Sequence, residues 1–430
     1  MDKAMAVLRR ATTLVERMAG PRTTQRLLLV TVRGTSFWPQ GALLGARLCA
    51  KNNWFSTSIA IGSLGLKRRP MWPELRLVVA DSCLAAGEPA LALEHAQALI
   101  GVDPDGFDGY HIASESLLLL GRAQESIALL EQGLQRCADS TQGGRSRHVQ
   151  RHLQAYARRA WCPLYDLWTQ SVLVEASPEI ELAKPLGAPL RWRPQAIQYW
   201  SQGQPPADVA AYTERWNRVL AGLGLDPVDV FDRSAARSWM ASHCNDFLVS
   251  FDSAPHYAAE SDVFRLAYAS VADCLWLDSD LLPAESAAAV LERALGEEAS
   301  LLFLKRKVPY LQSSVFMARR GCPFFAAMAR SLQGFNYASP EFAGVSRLHL
   351  IHDLSFGPAR YADTLMQLCE QHQPVQACHD QLPWLQQMRF PQFSLSFFSG
   401  PLLVAGGGHR LAYKTTASHW KVWARQQEGP

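Results

Sequence analysis

The sequence lacks most of the features that assign a protein to a class at a glance. Its nine cysteines, at 49, 83, 137, 162, 244, 274, 322, 369 and 378, are an odd number and include no Cys-x-x-Cys. That argues against a disulfide framework or a zinc site and for free thiols in a reducing compartment. No apolar run reaches the roughly 20 residues of a transmembrane helix. The formal net charge is only +3, which makes no case for nucleic acid as a partner. A Gly-rich P-loop, a G-x-S-x-G elbow and an H-E-x-x-H pair are all missing. His352 beside Asp353, and His379 beside Asp380, are isolated pairs with nothing else at ligand spacing. Met1 to Gly20 has the pattern of an amphipathic helix, with Leu8, Val15 and Met18 on one face. Arg9, Arg10, Glu16 and Arg17 interrupt any apolar signal core. The expectation is a cytoplasmic protein.

What is present is enough chain for two or three domains: 430 residues, 48% apolar and 19% charged. Residues 38–139 carry an internal repeat after an N-terminal helical segment at 1–37. Trp38-Pro39 recurs as Trp72-Pro73, 34 residues on. Sliding by the same step aligns Ala46, Ala80 and Ser114; Cys49, Cys83 and Leu117; Asn53, Gly87 and Gly121; and Ser58, Ala92 and Ser126. Small residues suit helices that cross closely, and Asn or Gly suits a left-handed turn between them. The period and pattern resemble tetratricopeptide repeats. Such an array implies an all-α solenoid whose concave face binds a protein partner, or a surface for self-association.

Residues 140–193 read as a basic helix and a connector. Arg145 to Trp161 holds five arginines and no acid. It suits either a polar cap on the solenoid or a helix resting on the anionic inner face of a membrane. Five prolines between 163 and 194 mark the connector. From 194 onward, apolar runs of strand length alternate with helical patterns, one of them Ser234 to Ser250, which predicts an α/β domain with a Rossmann-like mixed sheet, most of its strands parallel.

The most informative stretch runs from Ala259 to Pro283. Ser261 can cap a helix in which Val263, Leu266 and Ala267 share a face. Cys274 to Leu277 is a short apolar strand that ends in Asp278-Ser279-Asp280. Alternate strand residues share a face, so the two carboxylates point the same way. Together they repel and are costly to desolvate, and a hard divalent cation relieves both problems. An isolated Asp-x-Asp is common; the surroundings single this one out.

Ser261, Asp262 and Arg265, followed by the strand and Asp278-Ser-Asp280, resemble the DXD glycosyltransferases of the sugar-binding-region type. That family includes capsular-polysaccharide transferases, yeast initiating mannosyltransferases and the large clostridial glucosylating toxins. Gln195 to Gly203 resembles the family's opening strand, and Gln312 to Pro323 a later family segment. The resemblance covers about 194–425 and implies the glycosyltransferase A fold (GT-A). It also implies a nucleotide-diphosphate sugar donor, most readily a UDP-sugar, and Mn²⁺ or Mg²⁺ held by Asp280 and Asp278, with His419 as a third ligand. By the same resemblance Trp200 is a platform for the base. Ser261, Asp262 and Arg265 attend the donor sugar, Gln312, Ser313 and Ser314 lie near it, and Trp420 and Trp423 belong to the closing tail. Asp278, Asp280 and Arg265 would carry the catalysis, with retention of anomeric configuration. The sequence departs from the family where Ser270 to Asp273 replace two glycines, where an Asn is missing near Gln312, and where Phe356 replaces a Thr.

Three functions are compatible with this pattern. One is a retaining glycosyltransferase acting on a polysaccharide, lipid-linked or protein acceptor. Another is a non-catalytic scaffold with a degenerate transferase domain. The third is a nucleotide-sugar hydrolase. The intact pair of aspartates favours the first.

Overall fold

The computed structural model describes residues 39–51, 54–139, 190–296, 300–304, 311–342, 358–372, 375–378, 385–399, 403–405, 411–415, 419 and 423. The chain divides into two compact units, Met1–Tyr165 and Asp166–Pro430. The expected N-terminal segment and the expected basic helix and connector lie outside the described residues, apart from the last residues before 194. No described helix is long and apolar enough to cross a membrane.

The first unit is a helical repeat. Its helices are α1 (Pro39–Lys51), α2 (Phe55–Leu66), α3 (Pro73–Ala85), α4 (Pro89–Val102), α5 (Phe107–Leu119) and α6 (Ala123–Asp139). The first helices of the pairs start at Pro39, Pro73 and Phe107, and their partners at Phe55, Pro89 and Ala123; both series step by 34. The turns explain the glycines. Gly87 and Gly121 have φ of 77° and 73°, the left-handed backbone that L side chains avoid. Around Gly87, Glu88 N–H donates to the Cys83 carbonyl (2.9 Å) and Gly87 N–H to that of Leu84 (3.1 Å). Arg122 to Leu117 (2.8 Å) and Gly121 to Leu118 (3.0 Å) repeat the pattern, so α3 and α5 end in the same Schellman closure. The small residues sit at the crossings as expected: Ala46, Ala80, Ser114, Ser58, Ala92 and Ser126 are all fully buried. Ser58 Oγ donates to the Ala46 carbonyl (2.9 Å), and Ser126 Oγ to that of Ser114 (3.1 Å). Cys49 and Cys83 fill the same core position, and burial pushes both thiols up to about 12, which makes them packing groups.

The second unit is α/β. In chain order it has β1 (Gln195–Tyr199), α7 (Ala207–Gly222), β2 (Asp229–Phe231), α8 (Arg233–His243), α9 (Leu248–Ser253), α10 (Tyr257–Val271), β3 (Cys274–Leu277), β4 (Leu282–Pro283) and α11 (Ala287–Gly296). Then follow β5 (Ser300–Leu304), β6 (Leu311–Ala318), α12 (Pro323–Arg330), α13 (Pro358–His372), β7 (Val375–Cys378), β8 (Leu385–Arg389), β9 (Ser394–Ser399) and β10 (Val404–Ala405). Eight strands form one sheet in the order β2-β1-β3-β6-β5-β9-β8-β7. β1 is parallel to β2 and β3, and β5 to β9; the other neighbouring pairs are antiparallel. The sheet is therefore mixed, as expected, although fewer of its pairs are parallel than the alternation of strands and helices suggests. The reason is connection length: Leu304 and Leu311 are too close in sequence for a helical crossover, so β5 and β6 pair antiparallel.

All four residues of β3 are buried because the sheet is covered on both faces. Leu275 and Leu277 pack with Trp216 and Leu220 of α7 and Val290 and Leu291 of α11. Trp276 faces the other way, toward Phe264 of α10 and Phe316 of β6. Two local expectations need correction. The predicted helix at 234–250 is broken at Cys244, whose φ of −160° is extended, giving α8 and α9 with a short 3₁₀ turn between them. Ser261 is not a cap. α10 starts at Tyr257, and the extended His256 caps it by accepting from the Ala258 N–H at Nδ1 (3.1 Å), which places Ser261 inside the helix.

Candidate active site at the carboxyl ends of β1 and β3

From β1 the chain crosses to β2 on one side and later returns to β3 on the other. The gap between the carboxyl ends of β1 and β3 is therefore a topological switch point, where open α/β sheets bind ligands. Trp200 leaves β1 there, and Asp278 leaves β3. Trp200 N–H is held by the Phe231 carbonyl (2.9 Å), and Asp278 N–H by that of Ser314 (2.8 Å).

Asp278 Oδ1 accepts from Trp276 Nε1 (2.8 Å) and from an Arg265 guanidinium nitrogen (3.3 Å). The same nitrogen donates to the Ser313 carbonyl (2.6 Å), and the other terminal nitrogen pairs with Asp262. Asp262 and Arg265 reach each other because they lie one turn apart on α10. The guanidinium also lies 5.9 Å from the centre of the Trp276 ring. At 7% exposure, Arg265 is spent on the protein's own groups: as placed, it orients Asp278 and β6. The Asp278 side chain keeps 30% exposure. Crowding by protein pushes its carboxyl up to about 6; Arg265 opposes that shift and the charge of Asp280 adds to it.

Asp280 meets groups that sequence reasoning missed. Its Oδ2 contacts the Lys414 ammonium and accepts from the Tyr413 hydroxyl (3.3 Å). Both residues belong to a short turn, Ala412–Thr415, that is 3₁₀-helical. Ala412 N–H donates to Asp208 at the start of α7 (2.9 Å), and the Tyr413 ring packs edge-to-face with Trp200, centroids 5.3 Å apart. Burial, then the charges of Asp280 and Asp278, push the Tyr413 phenol well above its ordinary range. No local signal marks this turn, since its partners lie far back in the chain.

Glu260 is a second missed residue. It accepts from the Tyr199 hydroxyl (2.5 Å) and Ser201 Oγ (2.8 Å) through one oxygen and from Arg233 Nε (2.9 Å) through the other. Tyr199 and Ser201 flank Trp200, so Glu260 anchors the loop that carries Trp200. Its place directly before Ser261 and Asp262 was the available hint.

The structure thus brings together Asp262, Arg265, Asp278, Asp280, Trp200, Ser313 and Ser314. Gln312 lies beside Ser313 in β6. Ser261 is half-buried in α10. Trp423 packs on His256 (5.1 Å), at the start of α10, and Trp420 lies outside the described residues. His419 lies beside Tyr413, the two ring centroids 6.4 Å apart, and no group of three or more His, Cys, Asp or Glu that could hold a metal is present among the described residues. The carboxylate of Asp280 is met by Tyr413 and Lys414 of the same tail instead. Two accessible carboxylates nevertheless fit a hard cation that substrate phosphates complete, provided that Lys414 yields its place.

No protein-family model matches this chain, and no curated protein does. The case for function therefore rests on the geometry and on the motif resemblance.

Proposed function

We propose that the second unit is a retaining GT-A glycosyltransferase. It would move a sugar from a nucleotide-diphosphate donor, most readily a UDP-sugar, to a polysaccharide, lipid-linked or protein acceptor. The observation that carries this reading is the exit of Trp200 from β1 beside the exit of Asp278 and Asp280 from β3 at the switch point. An aromatic face for a base and a pair of carboxylates for a diphosphate-bound cation are what a nucleotide-sugar site needs. Mn²⁺ or Mg²⁺ on Asp278 and Asp280 would supply the positive charge that offsets the departing diphosphate.

The chain's own residues do the rest. Trp200, steadied by Glu260 through Tyr199 and Ser201, takes the base. Arg265 fixes the Asp278 carboxylate and the backbone of Ser313, and Asp262 lies at the edge of the same cluster toward the sugar. Retention, which the family resemblance implies, requires no general base opposite the leaving group. The helical array would act as a tetratricopeptide-like module for a protein partner or for self-association.

The test is UDP and UDP-sugar binding by calorimetry with Mn²⁺, with Mg²⁺ and with chelator. The wild type is expected to bind UDP in a metal-dependent way. Asp280→Asn is expected to lose that dependence while keeping its near-UV circular dichroism. Unchanged metal-dependent binding in Asp280→Asn removes the carboxylate site. No binding by well-folded wild type favours the scaffold function.

A further inference from the structure

We propose that Lys414 is a diphosphate-binding residue that waits on Asp280: it neutralises that carboxylate in the empty site and turns to the donor's phosphates when a divalent cation takes its place. The inference rests on the transferase reading above and adds a residue and a sequence of contacts to it.

Three observations on one short turn carry it. Lys414 Nζ contacts Asp280 Oδ2, one of the two oxygens through which Asp280 could take a cation, and both side chains are only 20% exposed. Tyr413 packs on Trp200 and donates to the same oxygen, so the turn reaches both the base platform and the carboxylate. The Asp208 contact to Ala412 N–H fixes where the turn begins. The anchor is backbone, while the charge sits at the end of a four-carbon stem that can swing without unfolding the turn.

An ammonium and a divalent cation on one carboxylate repel each other. Binding a divalent cation therefore drives the ammonium off Asp280, next to the carboxylates that would hold the diphosphate-bound cation. A half-buried ammonium without a counter-charge is unfavourable, and the nearest incoming negative charge is the phosphate. Release from Asp280 and capture by the diphosphate are then one exchange. The exchange orders events: metal alone competes with Lys414, whereas metal with a diphosphate is helped by it.

The experiment uses the full chain and two probes, Mn²⁺ and UDP. Free Mn²⁺ is followed by its paramagnetic resonance signal without nucleotide, and UDP binding by calorimetry at saturating Mn²⁺. Lys414→Met is expected to bind Mn²⁺ alone several-fold more tightly and UDP about tenfold more weakly, the scale of one lost charge-assisted hydrogen bond. Lys414→Arg, which keeps the charge, is expected to hold UDP affinity close to wild type and serves if the Met variant does not fold. Opposite shifts in the Met variant, together with retained UDP affinity in the Arg variant, support the exchange. Two weakened affinities, two unchanged ones, or an Arg variant as impaired as a neutral one overturn it. If wild type binds Mn²⁺ but not UDP, the transferase reading fails and takes this proposal with it. If wild type binds UDP with Mn²⁺ and Lys414→Met shows no opposite shifts, the transferase reading stands and the exchange falls.

Discussion

The helical array and the sheet unit are held by contacts of very different reach. In the array the polar contacts at the helix crossings join residues 12 apart (Ser126 with Ser114, Ser58 with Ala46) or 24 apart (Ser58 with Ser82). At the candidate site, Lys414 and Asp280 are 134 apart, Ala412 and Asp208 are 204 apart, and Arg265 spans 48 residues to Ser313. The array repeats one local solution. The site has one copy of everything, assembled from six or more separate segments. An alteration in the array should therefore be tolerated by analogy with its own other repeats, whereas one at the site has no stand-in.

The largest effect is expected at the hub that ties most segments together. Arg265→Met would leave Asp262 and Asp278 without their cation in a site that is already crowded. Breaking a buried pair from one side costs about 3–5 kcal/mol. Native-state hydrogen exchange should show faster opening of α10, β3 and β6. A cost below about 1 kcal/mol would place Arg265 among exposed ion pairs that carry little and would break the contrast between hub and array.

A smaller, more local effect is expected at Glu260. Glu260→Gln keeps the shape but removes the charge that Arg233 meets and turns an amide toward either that donor or the Tyr199 and Ser201 hydroxyls. The expected loss is about 1–3 kcal/mol, the range for a buried hydrogen-bonded group left badly paired. A purely structural role would stop at the melting temperature. Because Trp200 lies between Tyr199 and Ser201, UDP affinity should fall as well, and the tryptophan fluorescence change on UDP addition should shrink. Unchanged UDP affinity would show that the Trp200 loop holds its position without Glu260.

The same difference in reach decides what could be read from the sequence. The helix pairs were legible because each determinant is local: a glycine at a left-handed turn, a small residue at a crossing. β1, β3 and the Asp278-Ser279-Asp280 exit were legible for the same reason, since an apolar run followed by two carboxylates is a pattern within seven residues. Lys414 and Tyr413 were not, because nothing within Ala412–Thr415 says that it returns to Asp280 and Trp200. The cap of α10 was misassigned to Ser261 because His256, a rarer cap, supplied the acceptor one turn earlier. The strand order was only half legible, because helix-strand alternation stops at β5 and the remaining partners are chosen by the sheet. Asp262, Arg265 and Asp278 were singled out by the motif resemblance as groups for a donor and its cation, whereas the turn of Arg265 inward to Asp278 and Ser313 follows from β6 lying beside β3.

The smallest effect tests the array's half of the contrast. Ser126 Oγ and Ser114 Oγ are 2.7 Å apart and fully buried, whereas the same positions one repeat earlier are Ala92 and Ala80. The array thus already contains the double-alanine version of this crossing. Ser126→Ala should cost about 1 kcal/mol, because it strands the Ser114 hydroxyl. Ser114→Ala with Ser126→Ala should cost less than the single change, since replacing both partners by apolar groups of similar shape is nearly neutral. Chemical denaturation of the three variants measures it. A double variant worse than the single would mean that the crossings are not interchangeable, and that the 34-residue step repeats the helices without repeating how they pack.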